Sequence, residues 1–435
     1  MYFFIKFFFS MILLPLFMKE LFSSCLLSVY FLYTIMNMSE MLIINSLSFM
    51  DWMAYLLISL SLLICYFSFF MINNKLKLFM ISMSCLIMIL YFMSDSILNL
   101  FILFELSLIP MVILIMGFGF QPERLKAGRF MFIYTVVASS SLLISLLKMN
   151  NQGLNWLSMF SFNFLNIPIM FNMWIIFGLT LAFLVKIPSF LIHFWLPKAH
   201  VEAPLEGSMI LAGVMLKMGL YGMIRFMTFM FMYFNKYWLI IISLFIIGSI
   251  YSCWMAITAD DLKMIVAYSS ISHMNFSLVG LMSYLNLGIS SCTLIMVSHG
   301  FSSSSLFFLV TLLYNNNHSR SSIINKGYIS IFPSFSLVMF MGWCLNMASP
   351  PSISFLGEVF SMMCLNYMIN GMIIMSLMYI IMNSFFSILN YGISSHSSFK
   401  VNVKSSLGNI LSIMIPMYMF MVIIFLFFSM DLLMN

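Results

Sequence analysis

Four ionisable side chains lie inside long apolar runs of the sequence, where charge is costly. Each of them interrupts a stretch that is otherwise apolar: Glu105, Lys186, Lys217 and Glu358. At the centre of a membrane helix each such residue costs about 2.5–3.5 kcal/mol on insertion scales. Ionisable groups kept at that cost commonly serve ion or proton movement, so the set indicates a proton relay. Making and breaking a Glu105–Lys186 pair would switch Lys186 between holding and releasing a proton.

Histidines extend this set along other apolar runs. His193 follows Lys186 by seven residues, about two turns along one helical face. His273 and His299 each lie inside a further apolar run. For each histidine the alternative is a hydrogen-bonded core residue. The alternative for the four charges is equally structural, since they would form ion pairs or the lysines would reach outwards from near a helix end.

A predicted route connects the second lysine to the last acid. We expect protons to pass from Lys217 by way of His299 and ordered water to Glu358. The polar stretch around His200, with Lys198 and Glu202, is a candidate for the region where protons are taken up. The same stretch would serve equally well as a helix cap.

The composition indicates that a lipid bilayer surrounds these residues. The chain has 435 residues, of which 63% are hydrophobic and 7% charged, with a mean hydropathy of +1.10. Soluble domains are about 45–50% apolar and about 25% charged. A water-soluble enzyme and a nucleic-acid-binding protein are therefore excluded. The apolar runs are too long and continuous for barrel strands, so we predict an all-α polytopic membrane protein in contact with lipids.

About fourteen membrane helices are predicted from the apolar runs. The basic residues support this count, because twelve lie in odd-numbered loops and three, Lys148, Arg225 and Lys236, in even-numbered loops. Odd loops should then face the side of synthesis, and both termini the opposite side. The predicted spans are residues 3–18, 21–36, 54–72, 78–93, 96–117, 130–148, 172–195, 206–226, 238–257, 264–282, 286–313, 328–347 continuing to 369, 371–391 and 407–430.

Proline interrupts two of these spans, the seventh at Pro188 and the twelfth at Pro350 and Pro351. Proline removes a backbone donor and clashes with the preceding turn, so we expect broken helices seven and twelve. The breaks lie five helices apart, which predicts two inverted five-helix repeats. The predicted domains are residues 1–77 for the first three helices, 78–226 and 227–395 for the repeats, and 396–435 for the last helix.

No redox cofactor or metal is predicted in this chain. Its seven cysteines stand singly in apolar runs without a C-x-x-C pair, so they provide no framework for zinc or an iron–sulfur cluster. The use of 48 Met and 49 Phe against four Arg leads to the hypothesis that the protein is made inside an organelle.

Seven motifs resemble those of the antiporter-like, Mrp-type subunits of respiratory complex I. The resemblance covers roughly residues 78–400. In chain order the motifs are FELSLIPM (104–111), QPERLKAG (121–128), LVKIPSFLIHFWLPKAHVEAP (184–204), GSMILAGVMLKMGLYGMIRF (207–226), DLKMIVAYSSISHM (261–274), SHGFSSSSLFF (298–308) and SPPSISFLGE (349–358).

This resemblance implies a proton-pumping subunit of the mitochondrial inner membrane, with odd loops in the matrix and both termini on the intermembrane-space side. NADH, FMN, iron–sulfur clusters and ubiquinone would be bound by partner subunits. The partners would be other complex I membrane-arm subunits, including two flanking antiporter-like subunits. The family's relay residues fall on Glu105, Lys186, Lys217, Glu358, His193, His273 and His299.

Two residues depart from the family pattern. Glu206 stands where a small residue is expected, and it is predicted to form a salt bridge, with Lys198 or Lys263 as the partner. Leu220 replaces a glycine and demands more room beside its helix. Two other functions remain open at this point. One is a subunit of an Mrp-type cation/proton antiporter, and the other is a purely structural membrane scaffold.

Overall fold

Every regular element in the described part of the chain is helical. The computed structural model describes residues 52–72, 74–94, 96–151, 173–227, 238–350, 352–368 and 371–396. No strand occurs within these ranges, so the all-α prediction is confirmed there. The helices are α1 (Trp52–Phe70), α2 (Lys75–Phe92), α3 (Ile97–Leu106), α4 (Leu108–Phe118), α5 (Arg124–Asn151), α6 (Met173–Lys186), α7 (Trp195–Glu202), α8 (Leu205–Arg225), α9 (Trp238–Thr258), α10 (Leu262–Met282), α11 (Asn286–Asn317), α12 (Tyr328–Ile331), α13 (Pro333–Asn346), α14 (Ile353–Met368) and α15 (Met372–His396).

The helices have the length and composition of a multi-pass membrane protein. Within the described ranges, eight spans are long and apolar enough to cross a membrane. Helices α8 and α10 are almost wholly buried, whereas α15 exposes most of its apolar side chains, as a lipid-facing or partner-facing helix does. The predicted spans 3–18, 21–36 and 407–430 lie outside the described residues. The total of fourteen helices and the inverted repeats therefore stay predictions.

Helices end at both predicted proline breaks. Helix α6 ends two residues before Pro188, and α13 ends four residues before Pro350. Helical structure resumes with α7 after the first break and with α14 after the second. Each gap contains a non-glycine residue with a left-handed backbone, Leu191 (φ 81°) and Ala348 (φ 60°). Such conformations cost about 1–3 kcal/mol and occur preferentially at functional sites.

Two further irregularities were not predicted. Ser107 separates α3 from α4 within the single predicted span 96–117. Pro110 lies three residues further on and has no backbone N–H to donate to the Leu106 carbonyl, which favours an interruption at this point. In α8, residues Leu211–Met215 form a π-helical turn. Single π turns inside α-helices are frequent at functional sites.

The chain divides into two compact units, each with its own packing. In the first unit, α2 packs against α1 and α4, and α6 packs against α5 and α8. In the second unit, α11 packs against α10, α13 and α14, while α15 packs against α9 and α13. The first unit holds the two buried lysines of the predicted relay, and the second holds Glu358 with His273 and His299. The four predicted domains stay a prediction.

Candidate functional site

Lys186, the last residue of α6, is buried against the junction of α3 and α4. Its Nζ donates to Ser107 Oγ at 2.9 Å and to the Phe104 carbonyl at 3.3 Å, and it lies 3.7 Å from the centroid of the Phe104 ring. The Ser107 hydroxyl donates to the same carbonyl at 2.6 Å, so the serine oxygen faces the lysine as an acceptor. All of these partners are neutral. The ammonium is therefore stabilised by hydrogen bonds and a cation–π contact. Release of its proton would not leave a buried counter-ion unpaired.

Glu105 lies beside this lysine without a direct ion pair in the described part of the chain. It is half-buried in the last turn of α3, and its charge attracts Lys186 through space. The attraction weakens with distance and is strengthened by the low dielectric of the membrane interior. The predicted switching of a Glu105–Lys186 pair stays a prediction.

Lys217 follows the π-helical turn of α8 and is fully buried. Its Nζ donates to the carbonyl of Ala212, a residue of that turn. In a π turn the backbone bonds reach five residues back, and the Leu216 N–H accordingly donates to the Leu211 carbonyl. This register places the lysine side chain over carbonyls of its own helix, where a buried ammonium finds acceptors.

Glycines allow α8 to lie very close to the end of α6. A Cβ added at Gly219 would come within 2.7 Å of Ile187 Cγ1, and one at Gly222 within 2.2 Å of Phe183 Cε1. Leu220 itself is fully buried. The close contact with α6 is made at Gly219 and Gly222 instead, so the helix accommodates the larger Leu220 side chain. Lys186 and Lys217 thus lie on two helices, α6 and α8, that pack closely against each other.

In the second unit, Glu358 forms the centre of a buried hydrogen-bonded cluster. Its Oε1 lies 3.7 Å from His273 Nδ1 and accepts from Tyr379 Oη and Asn383 Nδ2, each at 3.4 Å. Tyr379 Oη also lies 3.0 Å from His273 Nδ1. The rings of His273 and His299 lie 5.3 Å apart. A phenol has one proton, so Tyr379 donates to the carboxylate while its oxygen accepts from a protonated Nδ1, or it donates to an unprotonated Nδ1 instead.

Close packing of α14 on α11 holds Glu358 in this position. A Cβ added at the preceding residue, Gly357, would meet Ile295 Cγ1 at 2.7 Å and the Ser291 carbonyl oxygen at 3.2 Å. The Tyr379 ring is likewise fixed, because it stacks on Phe276 with centroids 4.2 Å apart. The titratable groups of this cluster therefore project from closely packed helices rather than from loops.

His193 occupies an aromatic environment in the gap between α6 and α7. It is buried and stacks on Phe194 at 4.4 Å and on Phe190 at 6.2 Å between ring centroids. Its Nδ1 has no hydrogen-bond partner among the described residues. The structure therefore places His193 in a buried position, and its membership of the relay stays a prediction.

The predicted uptake region separates into exposed and buried members. Lys198 is exposed, whereas His200 and Glu202 are buried. The His200 ring stacks on Phe307 with centroids 4.7 Å apart and planes 8° from parallel. Uptake of protons in this region stays a prediction.

Glu206 forms a salt bridge, but the predicted partner was wrong. Its Oε2 lies 3.7 Å from Nζ of Lys77, a lysine that was not among the predicted partners. Lys77 also lies 5.5 Å from the centroid of the Phe118 ring. The pair joins α8 to α2 within the first unit, so this unusual glutamate contributes to helix packing.

Three residues of these sites were not predicted from the sequence: Ser107, Tyr379 and Asn383. A signal for the last two exists, because polar residues recur every three or four positions along the otherwise apolar α15. This stripe comprises Ser376, Tyr379, Asn383, Ser387, Asn390 and Ser394, all of which are buried. A helix with one polar stripe among lipid-facing side chains is expected to turn that stripe towards a polar interior.

No metal centre is found in the described residues. They contain no group of three or more His, Cys, Asp or Glu side chains that is able to hold a metal ion. The six described cysteines carry free thiols, and Cys25 lies outside the described ranges. The arrangement of the buried groups suits proton exchange.

Comparisons with known proteins place this chain in a family. Residues 94–387 match the family described as NADH:quinone oxidoreductase/Mrp antiporter, TM. NADH-ubiquinone oxidoreductase chain 4 of Ceratitis capitata is 39% identical over 359 residues, which is 79% of each chain. The chain 4 protein of Locusta migratoria is 37% identical over 406 residues, covering 88% of this chain and 87% of its own.

Solved structures share the fold at low sequence identity. One chain of respiratory complex I from Thermus thermophilus superimposes with a TM-score of 0.81 at 19% identity, covering 93% of both chains. One chain of an Mrp complex from Dietzia sp. gives a TM-score of 0.76 at 14% identity, covering 92% of this chain and 77% of its own. Because the family model matches more than half of the chain and its relatives are 37–39% identical to it, this chain belongs to the NADH:quinone oxidoreductase/Mrp antiporter family of transmembrane proteins.

Proposed function

We propose that the chain is a proton-translocating membrane-arm subunit of mitochondrial NADH-ubiquinone oxidoreductase. Its chain 4 relatives support this assignment. The single observation that carries it is the buried cluster in which Glu358, His273 and Tyr379 share hydrogen bonds. Three groups able to exchange protons, closed off from water and held on rigid helices, suit proton transfer better than they suit a structural role.

In the proposed relay, Lys186 holds a proton between Ser107 and Phe104 in the first unit. A change in the charge of Glu105 alters the electrostatic attraction and so favours binding or release of this proton. Lys217, held over the π turn of α8, is the next carrier. Neutral partners suit this role, because a strong fixed ion pair would keep the proton in place.

In the second unit, His299 and His273 pass the proton to Glu358. The Tyr379 hydroxyl turns between imidazole and carboxylate and so couples their protonation states. Because these groups interact closely, they titrate as one network rather than as independent sites. The proton leaves on the side opposite the basic odd loops, in keeping with the twelve-to-three distribution of Lys and Arg.

Electron transfer is assigned to partner subunits in this proposal. NADH, FMN, iron–sulfur clusters and ubiquinone are bound there, and this chain supplies only the proton path. The partners are other membrane-arm subunits, two of them flanking and antiporter-like. Membrane lipids cover the remaining apolar surface, and both termini face the intermembrane space.

A second candidate function is a subunit of an Mrp-type cation/proton antiporter. The structural similarity to a chain of the Mrp complex favours it. Purification from mild detergent distinguishes the two. Recovery of the chain in an assembly that contains flavin and iron–sulfur clusters supports the oxidoreductase, whereas recovery in a flavin-free assembly that exchanges cations for protons supports the antiporter.

The relay is tested by Lys186→Met in the assembled complex. Methionine keeps the side-chain length and removes the charge, so assembly should persist while proton pumping and coupled quinone reduction are mostly lost. Lys148→Met is the matched control, because Lys148 is exposed at the end of α5. Native gels measure assembly, and protons pumped per electron measure the relay. A normal ratio in assembled Lys186→Met would remove Lys186 from the path.

A further inference from the structure

Two fully buried asparagines in the second unit have polar atoms without hydrogen-bond partners in the part of the chain that the structure describes. Asn346 ends α13 and Asn383 lies in the middle of α15, and neither is exposed. Both amide atoms of Asn346, and Oδ1 of Asn383, lack partners among the described residues. So does Nε1 of Trp343, one turn before Asn346. Each unsatisfied buried group costs about 1–3 kcal/mol, so a further binding partner is expected.

The packing of α13 on α15 is expected to bring these atoms to one level along the two helices. The Phe340 and Tyr391 rings lie 5.1 Å apart, and those of Trp343 and Phe386 lie 6.5 Å apart. From the first ring pair to the second, the residue number rises along α13 and falls along α15, so the two helices are antiparallel. One further turn in the same sense takes α13 to Asn346 and α15 back to Asn383.

The Asn346 amide is not needed to cap its own helix. Helix ends leave carbonyls without intrahelical partners, and serines of the following break satisfy them here. The Ser349 backbone N–H and hydroxyl both donate to the Cys344 carbonyl, at 3.2 and 3.1 Å. Ser354 Oγ donates to the Leu345 carbonyl at 3.3 Å. The Asn346 side chain is thus available to another partner.

We propose that Asn346 and Asn383 bind ordered water between α13 and α15, next to Glu358. A water molecule supplies both the acceptor that an amide nitrogen needs and the donor that an amide oxygen needs. A bound cation meets only the oxygens and leaves the Asn346 Nδ2 and Trp343 Nε1 donors unsatisfied. Buried waters in proteins typically make about three hydrogen bonds each to polar groups of this kind.

This water connects Glu358 to the break after α13. Asn383 Nδ2 donates to Glu358 Oε1 at 3.4 Å, while its Oδ1 has no hydrogen-bond partner among the described residues. A water between Asn383 and Asn346 therefore extends the hydrogen-bonded path from the carboxylate to the end of α13. The existence of the water site is independent of the relay, but its part in proton movement rests on the proposed function.

The experiment is a structure of the assembled complex at a resolution that shows waters, for the native protein and for Asn346→Leu. We expect density about 2.7–3.2 Å from both amides in the native protein and its loss in the variant. The control is Asn390→Leu, because the Asn390 amide donates within α15 to the Phe386 carbonyl. In this control the density at Asn346 should remain.

Three results would overturn the proposal. The first is a direct bond between the two amides with no density between them, and the second is density with the short, oxygen-only contacts of a cation. The third is density that persists unchanged in Asn346→Leu. The native map decides the matter even if the variant fails to assemble. Pumping in Lys186→Met tests the relay separately, so failure of the water site and failure of the proposed function are distinguishable.

Discussion

The Tyr379 hydroxyl provides the sharpest test of the Glu358 cluster, because it can be removed without disturbing the packing. Tyr379→Phe deletes one oxygen that contacts both His273 Nδ1 and Glu358 Oε1. The ring keeps its stacking on Phe276. Any change in proton transfer then reports the hydrogen bonds rather than a cavity.

The expected size follows from the two distances. The contact with His273, at 3.0 Å, is an ordinary hydrogen bond, worth about 1 kcal/mol net, whereas the contact with Glu358, at 3.4 Å, is long and contributes less than the usual bond to a charged group. Together they amount to about 1–2 kcal/mol, which corresponds to a factor of about 5–30 in an equilibrium or a rate. We therefore expect NADH-driven proton pumping to fall about 5–30-fold, with assembly retained.

The assay combines native gels with proton pumping and electron transfer in the same membranes. Tyr367→Phe is the matched control, because the Tyr367 side chain is 79% exposed and lies outside the cluster. Infrared difference spectra supply a second readout, since the carboxyl band of Glu358 should shift in Tyr379→Phe and stay constant in the control. Normal pumping with an unshifted carboxyl band would refute a role for Tyr379 in setting the protonation of Glu358.

Three further predictions address the electrostatics and the helix packing. Glu105→Gln should impair pumping as much as loss of Lys186, and Glu105→Asp only partly, since the attraction depends on charge and distance; equal pumping in both variants would show that the charge is irrelevant. Gly357→Ala should destabilise the complex by about 1–3 kcal/mol through overpacking and so lower its melting temperature. Gly392→Ala should leave the melting temperature unchanged, because a Cβ at this position has open space around it. Glu206→Gln and Lys77→Met should each destabilise the complex, and the double variant by about 1 kcal/mol less than the sum; strict additivity would mean that the salt bridge contributes nothing.

The positions of the buried charges could be predicted from the sequence because the membrane makes charge conspicuous. Lys186, Lys217 and Glu358 are polar residues in apolar runs, and all three are buried as expected. The proline breaks were equally predictable, since proline cannot continue the hydrogen-bond ladder of a helix. These features depend on the chain's local chemistry alone.

The partners of those charges could not be predicted, because they come from other helices. Ser107 contacts Lys186 across 79 positions of sequence, and Tyr379 contacts His273 across 106. Serine and tyrosine are common in membrane helices and carry no charge penalty that would single them out. The partner of Glu206 was wrong for the same reason, since periodicity assigns residues to a helix face but does not say which helix that face meets.

The two units stabilise a buried ionisable group in different ways, and this difference matters for the direction of proton movement in the proposed relay. Lys186 is held by a hydroxyl, a carbonyl and an aromatic ring, none of which accepts its proton under ordinary conditions. In the proposed relay, such a site stores a proton until the electric field around it changes, and the charge of Glu105, which attracts Lys186, contributes to that field. Glu358 instead accepts a hydrogen bond from Tyr379, which also contacts His273, and the His273 imidazole lies 3.7 Å from the carboxylate, so titratable groups surround it. In the proposed relay, a proton at Glu358 can therefore redistribute among its neighbours without an external trigger, which assigns control to the lysine site and passage to the carboxylate site.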